Sequence, residues 1–258
     1  MNRIMVQGYT IRDYIQDEAQ VRDTFRKLAD IGYCGVQMSV PSTMTQQQLK
    51  AVLDAFGMVR ASTSTSLAAF VQNPGAAISE AHLFGTPLIS ITTLPPEQRE
   101  SVEGFQRFAH ALNEAGAVAR REGCTLGYHN HALEFRSFGG VTGMDILLAE
   151  TDDNIEFVLD THWLAAGGVN PPDWIRRVRG RMSLVHFKDY AIGPGAENIG
   201  QVVKEFAEVG MGNLNWYEII RACRETGVRN FAVEQDHCKV DPFTSLAISY
   251  KNIKAFGL

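Results

Sequence analysis

Short apolar, β-branched runs alternate along the chain with longer segments in which apolar residues recur three and four positions apart. The short runs predict eight buried strands, at residues 3–8, 34–39, 57–63, 86–92, 124–130, 155–161, 182–188 and 230–236. The periodic segments predict helices at 17–31, 44–56, 73–84, 97–122, 143–150, 172–180, 214–226 and 242–256. Strands and helices in this order predict a parallel sheet covered by helices.

The number of strand–helix units favours one architecture. No segment rich in Ser, Pro or Gly divides the 258 residues, so we predict a single domain over residues 1–258. Eight such units in a chain of this length predict a (β/α)8 TIM barrel, with a doubly wound open sheet as the alternative. In a TIM barrel the catalytic side chains lie at the C-terminal ends of the strands. The strand ends are therefore where chemistry is expected.

Composition and charge limit the classes of partner that the protein is expected to bind. The net charge of -5 and the pI near 5.8 give no basic face, so we expect no nucleic-acid partner. No apolar run approaches the ~20 residues that span a bilayer, and the first residues lack a signal-peptide layout. We therefore expect a cytoplasmic protein without a membrane partner. Four cysteines occur singly along the chain, which predicts reduced thiols and no disulfide framework.

The last four predicted strands all end in side chains that can bind a metal. The fifth ends in "YHNH" and runs on to Glu134. Each of the next three ends in two polar residues that share a face by the two-residue strand period. These pairs are Asp160 and His162, His186 and Lys188, and Glu234 and Asp236. Four strands thus present candidate ligands at the same end of the predicted barrel.

Each candidate also has a plain structural interpretation. A carboxylate that ends a strand is often a helix cap, and a single histidine such as His186 is often a satisfied core residue. Several carboxylates converging without a cation, however, would repel each other and lose solvation. We therefore predict one divalent ion, Mn²⁺ first and Mg²⁺, Co²⁺ or Zn²⁺ as alternatives. Because no cysteine is among the candidates, a structural zinc site is disfavoured.

Five segments resemble motifs of the xylose isomerase-like TIM-barrel superfamily, specifically its sugar phosphate isomerase/epimerase branch. They are "YHNHALEF", "VLDTHWLAAGGVNP", "LVHFKD", "GMGNLNW" and "VEQD", and the similarity covers nearly the whole chain. The resemblance implies a metal held by Glu134, Asp160, His186 and Glu234, with Glu134 and Glu234 flanking the substrate carbon. It also implies a homo-oligomer, because metal-dependent relatives often form dimers or tetramers.

Proton transfer beside a carbonyl requires a base, an acid and stabilisation of the developing oxyanion. The catalytic candidates are Glu134, Glu234, His131 and Lys188. The candidates for substrate contact are His129, His162, Trp163 and Arg136. The third strand, "ASTSTSL", has Ser and Thr where many relatives place a histidine. The resemblance therefore does not carry over the identity of the substrate.

Together with this chemistry, the resemblance implies a divalent-metal-dependent isomerase or epimerase of a sugar, keto-sugar or sugar phosphate, acting through an enediolate with paired glutamates. The alternatives are a dehydratase or lyase acting on a cyclitol or keto-sugar, an endonuclease IV-like repair enzyme and a non-catalytic subunit. The acidic pI and the third strand disfavour DNA repair.

Phosphate recognition stays open in the sequence. No phosphate-binding loop of the P-loop type is present. The "VGMGNLNW" turn (209–216) would either bind an anion at a helix start or be purely structural. Basic candidates at the barrel mouth are Arg136, Lys188 and Lys239. The expected partner is a small carbohydrate, neutral or phosphorylated.

Overall fold

The computed structural model describes residues 2–198 and 200–258. Its strands are β1 (Arg3–Gln7), β2 (Gly35–Gln37), β3 (Val59–Arg60), β4 (Thr63–Thr65), β5 (Leu88–Ile91), β6 (Thr125–His129), β7 (Ser137–Phe138), β8 (Val141–Thr142), β9 (Ile155–Asp160), β10 (Leu184–Phe187), β11 (Asp189–Ile192), β12 (Lys204–Ala207) and β13 (Asn230–Val233). Its α-helices are α1 (Glu18–Ile31), α2 (Gln46–Ala55), α3 (Leu67–Gln72), α4 (Pro74–Phe84), α5 (Val102–Arg121), α6 (Gly143–Glu150), α7 (Thr161–Ala166), α8 (Pro171–Arg177), α9 (Trp216–Thr226) and α10 (Pro242–Ala255). Short 3₁₀ helices cover Gly8–Tyr14, Pro96–Gln98 and Leu133–Phe135.

The main sheet closes into a barrel of parallel strands. Its order is β3-β2-β1-β13-β10-β9-β6-β5-β4, and each neighbouring pair is parallel. The first and last strands of this order, β3 and β4, are separated only by Ala61 and Ser62, so they are two parts of one interrupted barrel strand. The sheet therefore has the eight strand positions that the apolar runs predict, and the TIM-barrel prediction is confirmed.

Helix α5 illustrates how the outer layer supports the barrel. The Ser101 side chain caps its first turn by accepting from the Gly104 amide at 3.1 Å. Phe105, Phe108 and Leu112 lie along one face and are fully buried. The Phe108 ring meets Tyr128 of β6 with ring centroids 5.3 Å apart. This packing holds β6 in place just before the strand delivers His129 to the barrel mouth.

Several strands end earlier than the apolar runs predict. β9 ends at Asp160, whose side chain accepts from the Trp163 amide at 2.9 Å and so begins helix α7. His162 is therefore helical, and the prediction that it shares a strand face with Asp160 is wrong. β10 and β13 likewise end at Phe187 and Val233, one residue before the polar positions.

Two hairpins and two short helices were not anticipated from the sequence. The β7–β8 and β11–β12 hairpins are antiparallel and follow the strand ends of β6 and β10. Helices α3 and α7 are only six residues long, too short to produce a clear period of apolar positions. No helix within residues 2–198 and 200–258 is long and apolar enough to cross a membrane.

Candidate metal centre and active site

A pocket of about 650 Å³ lies at the C-terminal ends of the barrel strands. Every strand position of the barrel contributes to its wall, either through its last residue or through the segment that follows. Lining side chains with acid, base or ligand chemistry are Arg12, His129, His131, His186, Lys188, Glu234 and Asp236. The pocket is therefore located where active sites occur in this architecture.

Three buried side chains converge at the base of this pocket. His129, Asp160 and His186 each offer a ligand atom, and these atoms all lie within 4.8 Å of one another. Glu234 adjoins them, because its Oε2 atom is 3.0 Å from His186 Nδ1. We call these four residues the metal cluster. They come from β6, β9, β10 and the residue just after β13, so the parallel barrel brings them together.

Hydrogen bonds orient the ligand atoms of the cluster. His129 Nδ1 lies 3.2 Å from the Val158 carbonyl oxygen, and His186 Nε2 lies 2.6 Å from Gln37 Oε1. When these nitrogens carry the protons, the other nitrogen of each ring has a free lone pair. Metal-binding histidines in proteins are commonly held in this way by a carbonyl or carboxylate on the far side of the ring.

Three atoms of the cluster lack a conventional partner. Asp160 Oδ2, His186 Nδ1 and Glu234 Oε2 are buried without a hydrogen bond in the described part of the chain. The short contact between His186 and Glu234 is thus close in distance but not aligned as a hydrogen bond. Leaving such groups unsatisfied is costly, and a cation would satisfy all three together. Two imidazoles and two carboxylates suit Mn²⁺, Co²⁺ or Zn²⁺, so the residues fit a divalent ion.

Burial sets the charge states in the cluster. It raises the pKa of Asp160 to about 7, although the positive charge of Lys188 acts in the opposite direction. Burial also raises the pKa of Glu234, but His186 and Lys188 outweigh it and the result is a pKa of about 2. For His129, burial and the neighbouring His186 lower the pKa well below its ordinary value. His129 is therefore a neutral imidazole with a lone pair to offer.

Lys188 is a buried cation beside the cluster. Its Nζ atom is 2.5 Å from Asp236 Oδ1 and 3.7 Å from Glu234 Oε1. It also lies over the rings of Trp163 and Phe206, at 4.9 Å and 5.1 Å from their centroids. Burial lowers its pKa, but the surrounding carboxylates outweigh that effect and raise it. Lys188 is therefore a protonated amine held next to Glu234.

The catalytic candidate His131 and the predicted substrate-contact residues Trp163 and His162 lie at different depths in the pocket wall. His131 and Trp163 line the pocket, with ring centroids 5.6 Å apart. Burial lowers the pKa of His131, so its imidazole is neutral. His162 lies behind this wall, against Trp163, Tyr190 and Phe206, and burial lowers its pKa to about 4. His162 therefore supports the aromatic wall and does not line the pocket.

Glu134 occupies a different place from the one that the resemblance implied. Its carboxylate is fully buried and accepts hydrogen bonds from the Tyr128 hydroxyl and from the His131 amide, the latter at 2.8 Å. Tyr128 packs against Phe108 of α5, so its hydroxyl holds Glu134 on the side of β6 that faces this helix. Within the described residues, no hydrogen bond or ion pair joins Glu134 to the other three predicted ligands. His129 lies in the cluster in its place.

The basic residues at the mouth also differ from expectation. Arg136 pairs with Glu100 at an exposed position outside the pocket, and Lys239 pairs with Glu205. The pocket instead contains Arg12, which donates to the backbone oxygens of Tyr9 at 2.7 Å and Asp236 at 3.0 Å. Its position in a polar segment between β1 and α1 gave no sequence signal.

The buried carboxylate of Asp189 accepts the backbone hydrogen bonds of the glycine-containing turn before α9. Asp189 accepts from the amides of Gly210, Gly212 and Leu214 at 3.0 Å, 3.2 Å and 3.3 Å, and from the Trp216 indole at 2.5 Å. A Cβ atom on Gly212 would come within 2.4 Å of Asp189 Oδ1, which explains the glycine. Because the chain's own carboxylate occupies these donors, the turn is structural and offers no anion site.

Comparisons with known proteins identify the family of the barrel. The profile of the xylose isomerase-like TIM barrel family matches residues 25–239. An inosose dehydratase from Lacticaseibacillus casei is 27% identical over 151 residues, which cover 54% of this chain and 50% of that protein. The chain thus spans about half the length of this curated relative.

Solved structures share the fold over almost their full length. A sugar phosphate isomerase/epimerase from Parabacteroides distasonis ATCC 8503 has a TM-score of 0.81 at 20% identity, covering 99% of this chain and 95% of that one. A xylose isomerase-like TIM barrel protein from Mycobacterium smegmatis, in complex with magnesium, has a TM-score of 0.71 at 17% identity, covering 99% and 96%. At these identities the likeness shows the fold alone.

The closed parallel barrel, the cluster at its C-terminal end and the profile match lead to one assignment. The profile spans most of the chain and includes the β6, β9, β10 and β13 strands that carry the cluster. The chain therefore belongs to the xylose isomerase-like TIM barrel family.

Proposed function

We propose that the protein is a divalent-metal-dependent isomerase or epimerase that moves a proton beside the carbonyl group of a sugar or keto-sugar. The observation that carries this proposal is the metal cluster, with its unpartnered buried atoms, at the base of a pocket that also holds Lys188 and His131. The sugar isomerase/epimerase among the structural neighbours supports the same class.

The proposed metal ligands are His129, Asp160, His186 and Glu234. A divalent ion held by them would supply Lewis acidity, which lowers the barrier to removing a proton beside a carbonyl. All four ligands are buried, and burial would strengthen their electrostatic interaction with the ion.

In this proposal, residues in and around the metal cluster transfer the protons. Glu234 is ionised beside the positive charge of Lys188, which lowers the pKa of its carboxyl, and it serves as the base in this proposal. The protonated Lys188, 3.7 Å from Glu234, stabilises developing negative charge on the substrate. The neutral imidazole of His131 is the second proton carrier, in place of the predicted Glu134. The paired-glutamate mechanism is therefore replaced by a glutamate, a lysine and a histidine.

Dehydration is the second candidate reaction. It is favoured by the adjacency of Lys188 and Glu234, which puts a proton donor beside a base. In this reaction Glu234 takes a proton from the carbon next to the carbonyl, a carbon–carbon double bond forms and the β carbon–oxygen bond breaks. The departing hydroxyl takes a proton from Lys188 and leaves as water. The inosose dehydratase relative supports this alternative.

The polar groups of the pocket favour an unphosphorylated substrate. Lys188 is already neutralised by Asp236, and Arg12 uses Nη1 to hold two backbone oxygens. A phosphate dianion would therefore find few cationic side chains in this pocket that are not already paired. The other polar side chains of the wall carry amides and hydroxyls, which suit the hydroxyl groups of a neutral polyol; they include Gln7, Gln16, Ser39, Ser64, Thr92 and Thr93.

A substrate panel in deuterated water tests the proposal. Aldoses, ketoses, inososes and their phosphates are incubated with the Mn²⁺-loaded protein and followed by proton NMR, with an EDTA-treated sample as control. Isomerisation or epimerisation with deuterium uptake, lost after EDTA treatment, is the expected result. Formation of an enone or dione establishes dehydration instead. Activity that is equal with and without metal would overturn the metal-dependent proposal.

A further inference from the structure

Gln37 lies inside the barrel at the end of β2 and is 2% exposed. Its Oε1 atom is 2.6 Å from Nε2 of His186, on β10. β2 and β10 are not neighbours in the sheet, because β1 and β13 lie between them. The contact therefore spans the barrel interior and joins the metal cluster to a residue 149 positions away in the sequence.

Two buried serines hold the Gln37 amide in one orientation. The Gln37 NH₂ group donates to Ser62 Oγ at 2.9 Å and approaches Ser90 Oγ at 3.5 Å, and the Ser90 hydroxyl donates to Ser62 at 2.9 Å. Both serines are fully buried. Because an amide NH₂ can only donate, these hydroxyl oxygens keep the Gln37 oxygen directed at His186.

The orientation of this amide determines which nitrogen of His186 carries the proton. A neutral imidazole has one N–H and one lone pair. With Oε1 of Gln37 as acceptor, the proton belongs on Nε2 and the lone pair on Nδ1. Nδ1 is the buried atom without a hydrogen bond, 3.0 Å from Glu234 Oε2. In the opposite tautomer an N–H would point at Glu234, and Nδ1 would have no lone pair to offer a cation.

We infer that Gln37 is a positioning residue for the metal centre: it holds His186 in the tautomer whose Nδ1 lone pair faces Glu234 and the other ligands. The inference rests on the proposed metal-dependent function, which it deepens. Gln37 is not one of the four proposed ligands and acts through His186. Residues of this kind tune the affinity of a metal through the ligand that they orient.

Mn²⁺ titration calorimetry on purified variants provides the first test. Gln37→Met keeps the approximate volume and removes the acceptor, so affinity should fall about 10–100-fold. Gln37→Glu keeps an acceptor for Nε2–H and should bind more tightly than Gln37→Met. Thr63→Val is the matched control, because Thr63 is equally buried, lies outside the pocket lining and makes no side-chain hydrogen bond in the described part of the chain, so the affinity should match that of the wild type. Equal affinities of Gln37→Met and the wild type would overturn the inference.

Nitrogen NMR of labelled histidine in the metal-free protein provides the second test. The wild type should have His186 protonated at Nε2, with Gln37→Met shifted toward the Nδ1-protonated form. An Nδ1-protonated His186 in the wild type would contradict the inference, even if Gln37→Met does not fold. Because this measurement needs no metal, it decides the role of Gln37 separately from the proposed function. Absence of Mn²⁺ binding by the wild type would count against the proposed function alone.

Discussion

Replacing His129 with alanine should remove most of the metal affinity, whereas replacing Glu134 with glutamine should leave it intact. The reason is position: His129 lies in the metal cluster, while Glu134 is bonded to Tyr128 and the His131 amide on the helix side of β6. A change in a residue that only orients a ligand typically costs 10–100-fold in affinity. Loss of a ligand should therefore cost about 100-fold or more, equivalent to about 2.8 kcal/mol.

The effect can be followed as stabilisation of the fold by Mn²⁺. At a concentration 100 times the dissociation constant, a ligand stabilises the folded state by about 2.7 kcal/mol. For a domain of this size, that corresponds to a rise in Tm of about 5–11 °C. At the same Mn²⁺ concentration, a 100-fold weaker site gives about 0.4 kcal/mol, or a rise of about 1 °C.

Differential scanning calorimetry with and without Mn²⁺ measures both variants against their own metal-free baselines. This baseline matters because Glu134→Gln should itself lower stability by about 1–3 kcal/mol, through loss of a charged acceptor for buried donors. The expected pattern is a large Mn²⁺ shift in the wild type and in Glu134→Gln, and almost none in His129→Ala. A shift kept in His129→Ala and lost in Glu134→Gln would refute the placement of His129 as a ligand.

Two further predictions concern catalysis, and a third concerns the turn before α9. Glu234→Gln should lower turnover by about 10²–10⁴-fold at saturating Mn²⁺, and deuterium exchange near the wild-type rate would remove Glu234 from the role of base. Lys188→Met should lower kcat by about 10²-fold or more, while calorimetry should show that Mn²⁺ still binds. An unchanged kcat would remove Lys188 from the mechanism. Asp189→Ala should lower the free energy of unfolding in urea by about 3 kcal/mol, because it leaves backbone amides and the Trp216 indole without their acceptor. A change below about 1 kcal/mol would contradict this prediction.

The fold was predictable because its signal is local. Parallel barrel strands are buried on both faces, so each appears as a short apolar run, and the ends of each run lie within three residues of the ends of an observed strand. The errors occur where a polar side chain changes the backbone direction. Asp160 is the clearest case, since the same carboxylate ends a strand and caps helix α7.

The site was predictable only in part, for a physical reason. Asp160, His186 and Glu234 lie at or just after strand ends, where the barrel determines their position. Glu134 lies five residues beyond β6, and there the chain turns into a short 3₁₀ helix that no strand period describes. Gln37 gave no local signal at all, because its importance comes from a contact across the barrel interior.

The most direct test of the central claim is anomalous diffraction from a crystal of the protein grown or soaked with Mn²⁺. One strong anomalous peak is expected at the base of the pocket, coordinated by His129, Asp160, His186 and Glu234. Glu134 should remain bonded to Tyr128 in the same crystal. A protein that binds no Mn²⁺ at this position, or an ion coordinated by Glu134 and not by His129, would contradict the account.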